Sequence, residues 1–172
     1  ISGAESPNAG EMRLNGRPVS FRSPLDALKL STAYTYTDAR FLEGVLPGAA
    51  PLANVVIAGK RVPLVPQHKF NIASSWTFAP NTRLNAIATY VGSQHMDNDE
   101  GNNLGVMIPA YTVADLKLVH ERGAWRLSAA VNNLFDRKYY NYAVRSQFVV
   151  DRYNAYPLPT RNAAVTLEYS YR

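Results

Sequence analysis

The sequence predicts an all-β protein, an antiparallel up-and-down sheet of the transmembrane β-barrel kind, on three observations. Apolar and polar side chains alternate with a period of two near residues 12–22, 27–37, 69–78, 84–92, 111–120, 124–133 and 161–171, the mark of strands whose two faces meet different surroundings. The connections alternate in length, short after Arg22, Phe78 and His120 and long after Thr37, Val91 and Val131. An outer-membrane barrel has this asymmetry, with tight turns on the periplasmic side and long loops outside. Aromatic residues gather toward the strand ends, where an amphipathic ring straddles a membrane boundary.

The first segment is the least regular. Met12, Leu14, Val19 and Phe21 suggest a bent or bulged strand between Glu11 and Arg22, punctuated by Gly16 and Pro18 and ended by Ser23-Pro24, since both residue types interrupt a ladder. The second carries Leu28, Leu30, Thr32, Tyr34 and Tyr36 in one register and Ala27, Lys29, Ser31, Ala33, Thr35 and Thr37 in the other. In the third, Phe70, Ile72, Trp76 and Phe78 oppose Lys69, Asn71, Ser75 and Thr77. An Ala79–Thr82 turn leads to Leu84, Ala86, Ala88 and Tyr90, with Asn85, Ile87, Thr89 and Val91 opposite. The fifth strand sets Ala114, Leu116 and Leu118 against Asp115 and Lys117. After Glu121-Arg122-Gly123, Trp125, Leu127, Ala129 and Val131 oppose Arg126, Ser128 and Asn132. The last alternates Ala163, Val165, Leu167, Tyr169 and Tyr171 with Asn162, Ala164, Thr166, Glu168 and Ser170.

Composition narrows the function. The chain has 172 residues, 47% apolar and 18% charged, and no cysteine, which excludes disulfide frameworks, thiolate metal sites and cysteine nucleophiles. No apolar run reaches the ~18 residues of a membrane-spanning helix. The formal charge of +5 is scattered, so no nucleic-acid partner is expected. Lys29, Lys69, Asp115, Lys117, Arg126 and Glu168 share the polar faces, too many charges for a dry core. That favours lipid on the apolar face and a hydrated lumen on the other. A water-soluble β-sandwich is the bland alternative.

The segment Asn133-Leu134-Phe135-Asp136-Arg137-Lys138-Tyr139-Tyr140 resembles the end of the last-but-one barrel strand of TonB-dependent outer-membrane receptors. Further similar stretches follow in the family's order: Tyr34–Ala39, Gly59–Pro66, Tyr90–Ser93, Ile108–Thr112, and Pro157-x-Pro159-x-Arg161. The resemblance implies a barrel of about 22 strands plugged by a separate domain. Residues 1–172 would then be about seven strands from its carboxyl-terminal third, without the plug. It makes Asn133, Leu134, Phe135, Asp136, Tyr139 and Arg161 structural motif residues. It also makes Val165, Leu167, Tyr169 and Tyr171 a barrel-assembly signal, from which Arg172 departs where an aromatic is usual. The implied partners are that plug and the remaining barrel, the TonB complex through the missing amino-terminal region, and outer-membrane lipid with lipopolysaccharide. The implied cargo is a small metal chelate, a ferric siderophore or similar complex, bound and passed through a gate in the Gram-negative outer membrane.

No catalytic constellation, resident metal or cofactor is expected, because His68, His95 and His120 lack ligand spacing and no nucleophile or phosphate-cradling motif occurs. Candidate ligand contacts in the long loops are His95, Asp97, Asp99, Glu100, Arg145, Arg152 and Tyr153. Gly101 is expected to permit a sharp turn beside the acidic cluster, which lacks an EF-hand's distal glutamate. His68, Lys69 and Asn71 are placed on the lumenal register, and Lys29, Asp115, Lys117, Arg126 and Glu168 in a lumenal charge network facing the plug. Two rivals remain open: a complete eight-stranded barrel with a structural or adhesive role, and a barrel enzyme.

Overall fold

A strand satisfies its backbone N–H and C=O groups only against neighbours, so alternating segments joined by short turns fold into one ladder. The computed structural model describes residues 13–14, 17–18, 28–47, 53–146, 148–149 and 151–171. Its strands are β1 (Arg13–Leu14), β2 (Arg17–Pro18), β3 (Leu28–Tyr36), β4 (Val45–Leu46), β5 (Val55–Val56), β6 (His68–Ala79), β7 (Thr82–Val91), β8 (Tyr111–Arg122), β9 (Trp125–Asn132), β10 (Tyr140–Arg145), β11 (Tyr153–Pro157) and β12 (Asn162–Tyr169). Six of them form one antiparallel sheet in the order β3-β6-β7-β8-β9-β12. Tight turns join β6 to β7 and β8 to β9, with Asn81 (φ 57°) and Gly123 (φ 59°) in the left-handed conformation that such turns require.

The expected first strand is not part of this sheet among the described residues. Arg13–Leu14 pairs antiparallel with Arg17–Pro18 instead. The rest of 11–22, the Ser23-Pro24 stop and the short connection after Arg22 lie outside the described residues, as does Arg172. The expected order of the other six strands holds, and the long connections carry two further hairpins, β4–β5 and β10–β11.

The register places every expected apolar row on one face. Tyr34 pairs with Phe70 and Phe70 with Tyr90 at the end that carries the long loops. Below that row lie Leu30, Ile72, Ala88, Leu116, Val131 and Val165. The lower row is Leu28, Trp76, Leu84 and Leu118, continued by Trp125 paired with Tyr169. Ring contacts link Trp76 to Phe78 (5.4 Å between centroids) and Trp125 to Tyr169 (4.7 Å). From His68 to Phe78 is about 33 Å along the strand, which a barrel tilt of about 40° projects to about 25 Å, the height of an outer-membrane apolar band.

This face is bare. Leu30, Val165 and Leu167 are 63%, 74% and 62% exposed, so no second layer of the described residues covers it and the sandwich alternative fails. A continuous apolar surface of this kind needs an apolar partner.

His68 is corrected by the same register. It pairs with Tyr36, and its Nδ1 lies 2.8 Å from the Tyr34 hydroxyl. Its parity with Phe70 puts it on the apolar face at the upper aromatic row, whereas Lys69 and Asn71 occupy the polar face.

On the polar face, Arg126 bridges Glu121 (2.7 Å) and Glu168 (3.5 Å) near the tight-turn end. Glu121 joins because β8 runs on to Arg122, past the Glu121 at which the sequence predicts the turn to start. Lys29 and Lys117 have no ion-pair partner among the described residues, and Asp115 accepts the Asn133 N–H at 2.8 Å. The expected network is therefore a local Glu-Arg-Glu triad with separate charges above it. All three triad members are exposed, so water screens most of its contribution.

Candidate functional site

Three long connections leave the upper end of the sheet: 37–67, 92–110 and 133–161. A loop buried against another must pair its own polar groups, and these do so across one another. Leu64 N–H donates to His95 O (2.9 Å), Asp97 N–H to Ala143 O (2.9 Å), and Arg145 N–H to Asp97 O (2.8 Å). Asn102 holds Arg61 by both backbone groups, accepting its N–H at 2.7 Å and donating to its carbonyl at 3.0 Å. Met96, Leu104, Ile108 and Ala143 form a buried apolar cluster, with Leu64, Tyr140 and Ala155 packed against it. The principal apolar core of the described residues thus lies in the loops and not in the sheet. This follows from an apolar sheet face turned outward.

Asp99 is the polar centre of this assembly. It is 1% exposed, and its Oδ1 accepts the N–H groups of Asn103 and Leu104 at 3.0 Å each. Arg145 approaches the same oxygen at 3.3 Å, and His95 Nδ1 lies 3.1 Å from Oδ2. Arg145 also donates to Asn103 Oδ1. A buried carboxylate is tolerable only with such partners.

The candidate ligand residues divide accordingly. His95, Asp99 and Arg145 are brought together inside the loop body. Asp97 accepts the Tyr142 hydroxyl at 2.8 Å, and the carboxylate beside it holds the Tyr142 phenol above its ordinary range. Burial, with Tyr153 adding to it, likewise raises the Tyr140 phenol. Glu100 is partly exposed, and Arg152 and Tyr153 are exposed on the β10–β11 hairpin, where Tyr153 is the cross-strand partner of Arg145. In the first loop, Arg40 donates to Asp38 at 2.9 Å, and this bond keeps the Asp38 carboxyl below the usual carboxylate range.

The expected turn at Gly101 is present: Gly101 lies inside the Asp99–Asn102 turn, closed by the Asn102 N–H to Asp99 O at 2.9 Å. Asn98 (φ 62°) and Asn102 (φ 51°) take the left-handed positions, and Gly101 is pressed against Val55, where a Cβ would come within 2.8 Å of its Cγ1. Glycine serves close approach there. Among the described residues no group of three or more His, Cys, Asp or Glu is gathered as a metal site.

Hydrogen bonds from Asn133 and Asp136 tie the two ends of the third loop together. Asn133 is 4% exposed at φ 51°. Its side chain accepts the Arg137 N–H (2.8 Å) and donates to the carbonyls of Arg137 (2.8 Å) and Pro159 (3.3 Å). Leu134 N–H donates to Ala114 O at 2.7 Å, and Asp136, at φ 53°, accepts the Arg161 N–H at 2.8 Å. Tyr139 packs on Tyr111 with centroids 4.6 Å apart, while Phe135 is exposed. Val165, Leu167, Tyr169 and Tyr171 stand exposed at the β12 edge and just beyond it. Asn133→Ala is expected to lower stability by about 3 kcal/mol, from the lost bonds to buried backbone and a left-handed residue without asparagine's tolerance. Urea unfolding of the protein in detergent micelles reads this directly.

The sequence matches the profile of the family described as TonB dependent receptor-like, beta-barrel over residues 2–134. The chain belongs to that family. The metal-pseudopaline receptor CntO of Pseudomonas aeruginosa strain UCBPP-PA14 is 30% identical over 170 residues, 95% of this chain and 21% of that protein. Among solved structures, the siderophore receptor PiuA of Acinetobacter baumannii superposes with a TM-score of 0.68 at 20% identity, over 85% of this chain and 20% of that one. The ferric-catecholate import receptor Fiu of E. coli K12 gives 0.60 at 22% identity, over 83% of this chain and 19% of that one.

The chain thus spans about a fifth of the length of the curated relatives it matches. A TonB-dependent receptor barrel explains the open sheet. The six-stranded sheet is one arc of a larger cylinder with β3 and β12 at its flanks, and closure around a full ring leaves no free edge. These matches go against the eight-stranded alternative.

Proposed function

We propose that this chain is the carboxyl-terminal barrel arc of an outer-membrane receptor that imports a metal chelate with energy delivered through TonB. Family membership carries the reading, and the bare apolar face between two aromatic rows supports a place in the Gram-negative outer membrane, crossed many times. The relatives are named for metal-pseudopaline, siderophore and ferric-catecholate, which supports a metal complex, foremost a ferric siderophore, as cargo.

In this reading the polar face lines the passage, and the plug and remaining barrel complete it. The rigid loop body forms part of the outer mouth. Arg152, Tyr153 and Glu100 are its accessible ligand contacts. His95, Asp97, Asp99 and Arg145 shape the mouth from within. The β12 residues Val165, Leu167, Tyr169 and Tyr171 present the assembly signal. The work is recognition and gated passage, without a bond-making step.

The test uses the full-length receptor in cells starved of metal. Uptake of radiolabelled ferric siderophores and other metal chelates is expected to fall to background when its gene is deleted, and equally when TonB is inactivated. Uptake that persists without TonB overturns the proposal.

A further inference from the structure

We infer that Tyr142 and Tyr156, with the Asp97 carboxylate beside them, form a site for an organic ammonium group on the outer face of the loop body. In the β10–β11 hairpin Ala143 is the cross-strand partner of Ala155. Both turn inward, Ala143 fully buried with Met96 and Ile108 and Ala155 packed against that cluster. Period two then turns their neighbours Tyr142 and Tyr156 outward, where they are 37% and 54% exposed. Their ring centroids lie 5.3 Å apart with the planes tilted by 42°. Asp97 adds a parallel segment to the hairpin through its bridge to Val144, and its Oδ2 accepts the Tyr142 hydroxyl at 2.8 Å.

The charge of this shelf is uncompensated. Asp99 faces Arg145 on the inner side, whereas Asp97 accepts only the Tyr142 hydroxyl and the Asn98 N–H (3.1 Å) and has no cationic partner among the described residues. A carboxylate has about four lone-pair positions, so some stay open. Two aromatic faces beside an unpaired negative charge attract a cation, through the ring quadrupoles and the charge together. A bare divalent ion is poorly served, because it needs about six oxygens, and no group of three or more His, Cys, Asp or Glu gathers among the described residues. An alkylammonium fits: its carbon shell packs on the ring faces while its charge meets the carboxylate. The occupant is a protonated amine carried by the metal chelate, and in naming it the inference rests on the import reading.

The test measures binding apart from import. Purified full-length receptor in uncharged maltoside micelles is titrated with choline and with its neutral isostere 3,3-dimethylbutanol, and saturation-transfer NMR of the methyl protons reads the affinity. Choline is expected to bind the more tightly. Tyr156→Leu and Asp97→Asn are each expected to weaken choline binding by roughly threefold to tenfold, and Tyr142→Phe, which keeps the ring, by less. Phe148→Leu, at an exposed aromatic between β10 and β11, is expected to change nothing. Heat-modifiable gel mobility confirms that each variant is folded. The gallium(III) complex of desferrioxamine B, diamagnetic and bearing one protonated amine, is expected to displace choline, and its N-acetyl form is not. Equal binding of choline and the isostere overturns the inference, as does equal choline binding by wild type and Tyr156→Leu. Displacement by both gallium complexes, or by neither, overturns the chelate amine as occupant. Choline selectivity in a receptor whose deletion leaves chelate uptake unchanged would count against the import proposal alone.

Discussion

Leu116→Arg is expected to destabilise the receptor by about 2–4 kcal/mol, the cost of a cation on the lipid face near the middle of an apolar band. Leu116 lies between Ala86 and Val131 on the bare face. Ser31→Arg is the matched control at similar depth, because Ser31 pairs with Ala73 on the polar face. It is expected to cost less than about 1 kcal/mol, the range of lumen-facing changes that keep a charge hydrated. Urea midpoints of the two variants in lipid vesicles measure the difference. Equal costs would mean that the two faces meet the same medium, and the membrane orientation would be lost.

Asp99→Ala is expected to open the loop body without melting the sheet. It strands two backbone N–H groups and leaves Arg145 and His95 without their shared carboxylate. Breaking a buried pair of this kind costs about 3 kcal/mol. The loss should be local, because the loops and sheet exchange few shared core residues and such units open separately. Hydrogen exchange should accelerate at Asp97, Leu104 and Arg145, whose amides are bonded across or within the loops, while amides of β7 and β8 stay protected. Asp99→Asn should fall between, since it keeps an acceptor for the backbone and loses the charge that Arg145 faces. If β7 and β8 lose protection together with the loops, the two are one cooperative unit and the loop body has no stability of its own.

These two variants mark the reach of local sequence pattern. Leu116 is assignable to the apolar face from the sequence, because period two admits only two faces and the neighbours on each strand vote together. Polarity alone groups His68 with Lys69 and Asn71, whereas its parity with Phe70 decides its face. The β10–β11 hairpin went unread although Tyr140, Tyr142 and Val144 alternate with Asn141 and Ala143, and Asn154 and Tyr156 with Ala155. Short alternations inside a polar, proline-bearing stretch resemble loop, and only their mutual pairing makes them strands.

Asp99 shows the limit most plainly. An acidic residue among Asp97, Asn98 and Glu100 looks solvated or ligand-facing in the sequence, yet it is the most enclosed carboxylate of the described residues. Its partners His95, Asn103 and Leu104 are near in sequence, but Arg145 comes from another loop.

By itself the sequence determined the order of the six sheet strands, the two faces, the aromatic rows and the receptor-barrel family, because each is written in local periodicity and in motifs that lie along one stretch of chain. Tertiary structure alone decided that the three long connections fold on one another around Met96 and Ile108, and that Asp99 is their buried anchor. Those outcomes depend on contacts between segments tens of residues apart, whose closure entropy and packing no local pattern records.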